Sequence, residues 1–188
     1  MLGYYNHGEC FPVRGRECTS GQIPMIKEKF KNYDSYGSAT LEDVYGDLLQ
    51  SSLQHHTAQM FESIYMQNNG DGSFELIALP VQAQFSTVFG IIPEDFDNDG
   101  HLDVVLAGNF YVSEVETGRA DAGIGLFMRG DGKGNFEPKT VSESGFFTPL
   151  DVRNLEMLVD DNGDRIILVG NNDDAMQIIK VNGTKQIN

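Results

Sequence analysis

From about residue 60 onward, short apolar runs alternate with clusters of Gly, Asp and Asn. "IYMQNNGDGSFELIALP" (64–80) has an apolar run, a Gly/Asp turn and a second run beginning at Phe74, and "GLFMRGDGKGNFEPKT" (125–140) repeats the form with Phe136 in that place. Runs of this length, bounded by residues that tolerate positive φ, predict antiparallel hairpins. A different unit, "EDFDNDGHLDVVLAGN" (94–109), aligns without gaps to "MLVDDNGDRIILVGNN" (157–172): strand, acidic turn, buried apolar strand, then Gly-Asn. Both echoes recur after about 60 residues.

Two interleaved hairpin units with one period make a single repeat of four short strands, which is the build of a β-propeller blade. The expected central blade has strands near 88–94, 102–108, 124–129 and 135–139. Before it, 61–87 reads as the outer hairpin of another blade; after it, 152–182 carries about three strands, near 153–159, 165–170 and 175–181, of an incomplete, degenerate one. Closed propellers typically have four to eight blades. The expected fold is therefore all-β: a partial β-propeller of about two to three four-stranded antiparallel blades in a single domain over 1–188, with 88–140 as the complete blade. Residues 1–60 follow the repeat poorly. There "PMIKEKFKNY" and "TLEDVYGDLLQ" have helical spacing, and Thr40 with Asp43 resembles a capping box with Asp in place of Glu, so short helical insertions are expected near the N-terminus.

The candidate chemistry lies in "DFDNDGHLD" (95–103). Asp95, Asp97 and Asp99 take loop positions one, three and five, Gly100 permits the turn at six, His101 can offer its main-chain carbonyl at seven, and Asp103 closes at nine. Hard oxygen donors at this spacing suit Ca2+. An EF-hand shares the first half of the pattern but needs a bidentate Glu at position twelve and flanking helices; here that position is Leu106 and the flanks are strand-like. The bland alternative is a solvated hairpin tip, but four carboxylates in nine residues repel one another without a counter-ion. In the ungapped alignment the second repeat has Leu158 and Ile166 at the Asp95 and Asp103 positions, leaving Asp160, Asn162 and Asp164, so a metal-free turn is expected there.

Charge removes several classes of partner. With 13 Lys plus Arg against 28 Asp plus Glu, the net charge is −15, which repels nucleic-acid phosphates and anionic lipid. No apolar run approaches the length of a membrane span, so membrane insertion is not expected. Cys10 and Cys18 match no zinc-ribbon or redox spacing, the four His are scattered, and no GxSxG, HExxH or phosphate-cradling loop occurs. A second cluster, "EVETGRADAG" (114–123), gathers Glu116, Arg119 and Asp121 in the long connection between the second and third strands of the central blade. It is a possible loop site; an Arg/Asp pair that only fastens the loop is the plainer reading.

The stretches "PVRGREC", "QIPMIKEKF", "ATLEDVYG", "NNGDGSFELIALP", "DFDNDGHLDVVLAGN" and "ETGRADAGIGLFMRGDGKGNF" resemble the FG-GAP/VCBS repeat family, whose blades also occur in integrin alpha-chain heads. The chain looks most like the C-terminal part of large secreted or cell-surface repeat proteins of bacteria. The resemblance implies calcium held by the side chains of Asp95, Asp97, Asp99 and Asp103 and the carbonyl of His101. It implies an exported parent protein, extracellular or at the cell surface; because "MLGYYNHGEC" lacks the features of a signal peptide, the chain is expected to be a fragment. The expected function is non-enzymatic: a calcium-binding module for adhesion, taking a protein or glycan ligand or further propeller blades of the parent chain. The alternative is a propeller-type enzyme acting on polysaccharide through paired carboxylates.

Overall fold

In the computed structural model, which describes residues 1–51, 54–114 and 117–182, the chain divides into two units, Met1–Gln59 and Met60–Asn188. The first opens with a hairpin of β1 (Gly3–Asn6) and β2 (Glu9–Pro12). His7 and Gly8 both have positive φ, which matches the twist of the strands they join. Five short helices follow: α1 (Arg16–Gln22), α2 (Met25–Lys29), α3 (Tyr33–Gly37), α4 (Leu41–Tyr45) and α5 (Asp47–Gln50). Thr40 and Asp43 form the capping box at the start of α4: the Asp43 amide donates to Thr40 Oγ1 at 3.1 Å and the Thr40 amide to Asp43 Oδ2 at 2.9 Å. None of these helices is long enough to be stable alone. A small core of Ile26, Phe30, Tyr36, Ala39 and Val44 holds α2, α3 and α4, and in it Phe30 and Tyr36 meet edge to face.

The second unit is built from antiparallel sheets. Strands β3 (Ile64–Asn68) and β4 (Phe74–Ala78) pair as a hairpin. A four-stranded meander follows, in sequence order: β5 (Gly90–Glu94), β6 (Asp103–Ala107), β7 (Leu126–Gly130) and β8 (Phe136–Lys139). After the short helix α6 (Val141–Ser144), a three-stranded sheet holds β9 (Val152–Val159), β10 (Arg165–Asn171) and β11 (Gln177–Lys180), with β10 in the middle. The chain is thus mostly β, with its strands in small antiparallel sheets, and among the described residues these do not close into a barrel or propeller.

The central meander is covered on both faces, which explains why β6 reads as an almost unbroken apolar run. Side chains of a strand alternate between faces. Val105 and Ala107, with Ile92 of β5, pack against Leu155, Ile167 and Val169 of the three-stranded sheet. Val104 and Leu106, with Met128 of β7, face the other way, toward Ala83 and Leu79 in the segment after β4. On that side Tyr65 of β3 also meets the Phe136 ring edge-on at 5.5 Å. Burying each Val or Met of these layers contributes about 1.5–3 kcal/mol.

The two acidic turns differ in length. Glu94 pairs with Asp103 across β5 and β6, whereas Val159 pairs with Arg165 across β9 and β10. An ungapped alignment therefore fails between the repeats. In the paired strands Arg165 opens β10 where Asp103 opens β6, and Ile166 is one step further along.

Candidate metal centre

The loop leaves β5 at Glu94 and returns at Asp103, so the pairing of these two residues fixes its base. Within it Asn98 and Gly100 have positive φ (61° and 90°), which turns the chain twice and sends successive carboxylates inward. Ligand oxygens of Asp95, Asp97 and Asp99 lie within 4.8 Å of one another. The loop amides help to position them: Asp99 N donates to Asp95 Oδ1 and Asp97 Oδ1, each at 3.1 Å, Gly100 N to Asp95 Oδ2 at 3.0 Å, and His101 N to Asp99 Oδ1 at 2.9 Å.

Asp103 is placed differently. Its side chain is fully buried (0% exposed), and each oxygen accepts a backbone amide: Oδ1 from Gly130 at 2.9 Å and Oδ2 from Phe96 at 3.1 Å. Burial raises its pKa, the two amides oppose that shift, and the charges of Asp97 and Asp99 add to it. Asp103 is thus the post that ties the start of the loop to β7, standing below the cluster of three. The pKa of Asp99 is lowered, first by the His101 amide and then by Arg129.

Two arginines that sequence reasoning missed also meet this loop. Arg129 of β7 places Nε 2.8 Å from Asp97 Oδ2 and its terminal Nη2 2.7 Å from Asp99 Oδ2. Arg165 donates to the carbonyl of Asp95 at 2.7 Å and that of Phe96 at 3.2 Å, and lies 3.4 Å from Glu94 Oε1. No local signal marks either residue, because their partners lie 30 and 70 positions away in sequence. A third omission is Asn109. Fully buried, it donates to the carbonyls of Gly123, Pro149 and Leu150 and accepts from Ser86 Oγ and the Gly123 amide. The Gly-Asn that ends each repeat was its only signal.

The other hairpin turns provide an internal comparison. In the turn after β3, Asp71 accepts the Ser73 amide; after β7, Asp131 accepts those of Lys133 and Asn135; after β9, Asp160 accepts those of Asn162 and Asp164. One aspartate is enough to organise a plain turn of this kind. The longer 95–102 loop gathers three, each of which accepts at least one loop amide. In the 160–164 turn Asp164 instead pairs with Lys180, and Leu158 is an exposed residue of β9.

In the second sequence cluster, Glu116 lies outside the described residues. Arg119 pairs with Asp121 at 2.8 Å within the same segment and stacks over Tyr111 at 4.6 Å. Cys10 and Cys18 are free thiols. Among the described residues no helix is long and apolar enough to cross a membrane. A cavity of about 600 Å³ lies elsewhere in the second unit, between Ala83, Val88, Leu106, Ile124 and Val141, and its lining includes Lys139 but no carboxylate. No protein family, curated protein or solved structure matches the chain.

Proposed function

We propose that the chain is a calcium-stabilised, non-enzymatic module of FG-GAP/VCBS type, part of a β-propeller that holds a protein or glycan at the cell surface. The observation that carries this reading is the convergence of Asp95, Asp97 and Asp99 within 4.8 Å in a single loop. Several oxygen donors on one turn suit Ca2+, which takes six to eight oxygens in adaptable geometry, better than Mg2+, which demands a near-ideal octahedron. The His101 carbonyl and a remaining lone pair of Asp103, which stands outside the group of three, would complete the ligand set. The β5–β8 meander is the blade, with β3–β4 and β9–β11 as parts of its neighbours; a sheet packed on one face by the β9–β11 sheet and on the other by the segment after β4 supports that assignment.

The ion's role is mechanical. Calcium neutralises the carboxylates and locks the turn, so part of its binding energy appears as stability of the central sheet. Extracellular modules of this kind bind at about 10⁻⁴ to 10⁻³ M, so the site fills outside a cell. Asp97→Ala tests the role. It is expected to abolish the rise in melting temperature that calcium gives the wild type, and to change stability little in chelator. An equal loss in both media would refute the proposal.

A further inference from the structure

The acidic loop already holds a cation, and it belongs to the protein. Arg129 reaches from β7 and takes one oxygen from each of two aspartates, Asp97 Oδ2 and Asp99 Oδ2, while loop amides take Oδ1 of the same two residues. A guanidinium is a planar fork, and here it spans two carboxylates that would otherwise repel each other. Its side chain is 45% exposed, so it can swing into solvent without opening the core. The same side chain borders a shallow groove beside His101, Asp131, Asn135 and Glu137.

We infer that Arg129 is the resident counter-ion of the metal-free loop, and that a divalent cation binds by displacing it from Asp97 and Asp99. This rests on the reading of the loop as a calcium site and adds what sets its affinity. A carboxylate oxygen bonded to a guanidinium offers less charge to a metal, and a positive group beside the site opposes a second one. The arrangement has two consequences. The loop stays ordered without metal, because Arg129 offsets the repulsion among the aspartates. The metal also binds more weakly than the same carboxylates would bind it alone, because two exposed ion pairs must first be given up.

The test compares wild type, Arg129→Gln and Arg129→Lys by calcium titration of the metal-stripped chain, with melting curves in chelator and in saturating calcium. Displacement predicts that Arg129→Gln binds calcium roughly tenfold more tightly, the factor expected from releasing two surface ion pairs. The same variant is expected to melt lower than wild type in chelator and to recover that loss in calcium. Arg129→Lys, which keeps the charge but loses the fork, should fall between. Calcium binding by the wild type with equal or weaker binding by Arg129→Gln overturns the displacement and leaves the calcium site standing. Binding by the variant alone supports the inference in its strongest form. Binding by neither overturns the calcium reading itself, and the inference with it.

Discussion

Replacing Asp103 with Asn removes one acceptor from a buried post and leaves its shape. In the wild type one oxygen accepts the Gly130 amide at 2.9 Å and the other the Phe96 amide at 3.1 Å. An Asn side chain can accept only one of these and turns an NH2 toward the other. A buried donor left without an acceptor costs about 1–3 kcal/mol. The effect depends on pH, with a sign fixed by the raised pKa of Asp103 in the fold. A carboxyl that holds its proton more tightly when folded contributes its full stability below the unfolded value of about 3.9, and that contribution is lost as pH rises through the higher folded value. Asn does not titrate. In chelator, the stability of wild type relative to Asp103→Asn should therefore be greatest near pH 4 and should fall toward pH 7. Urea unfolding at a series of pH values measures the difference. A wild-type advantage that grows with pH would refute the reasoning.

Two other substitutions probe the frame around the loop. A Cβ added at Gly130 would stand 2.0 Å from the Leu102 carbonyl, so Gly130→Ala must push β7 away from the end of the acidic loop. It should cost about 1–3 kcal/mol in thermal unfolding and weaken calcium binding as well; a variant that melts like wild type would contradict the close approach. Arg165→Met removes the bonds to the carbonyls of Asp95 and Phe96 and should cost about 1.5–3 kcal/mol. Hydrogen exchange should then quicken at the loop amides of 96–101 more than in the β3–β4 hairpin, and uniform protection across both would show that Arg165 does not anchor the loop.

Much of the β architecture was legible because its signals are local. Gly100, Gly132, Gly134 and Gly163 take positive φ in hairpin turns, and the runs between them have the length of strands. Strands expected near 88–94, 102–108, 124–129 and 135–139 appear as Gly90–Glu94, Asp103–Ala107, Leu126–Gly130 and Phe136–Lys139. In the first unit α2, α4 and α5 were likewise marked by spacing and by the Thr40 cap, whereas α1 and α3 were not. The residue correspondence between the repeats was not legible. "VVLA" in β6 and "IILV" in β10 are apolar at every position, so a slip of one residue leaves a plausible strand in either register. Only the pairing of Val159 with Arg165 reveals the shorter turn. At the candidate site, the spacing of aspartates identified the three carboxylates that converge. It gave no sign that Asp103 would spend both oxygens on backbone amides, or that Arg129 and Arg165 would reach the loop from distant strands. Those are properties of tertiary contact, which no local pattern encodes.

The central claim is that the 95–103 loop is a metal site whose occupancy stabilises the sheet around it. Calorimetric titration of the chelator-stripped protein with calcium tests it most directly. The account predicts about one site, with a dissociation constant near 10⁻⁴ to 10⁻³ M, accompanied by a higher melting temperature. A folded protein that shows no binding heat in this range and melts at the same temperature in calcium and in chelator would contradict it.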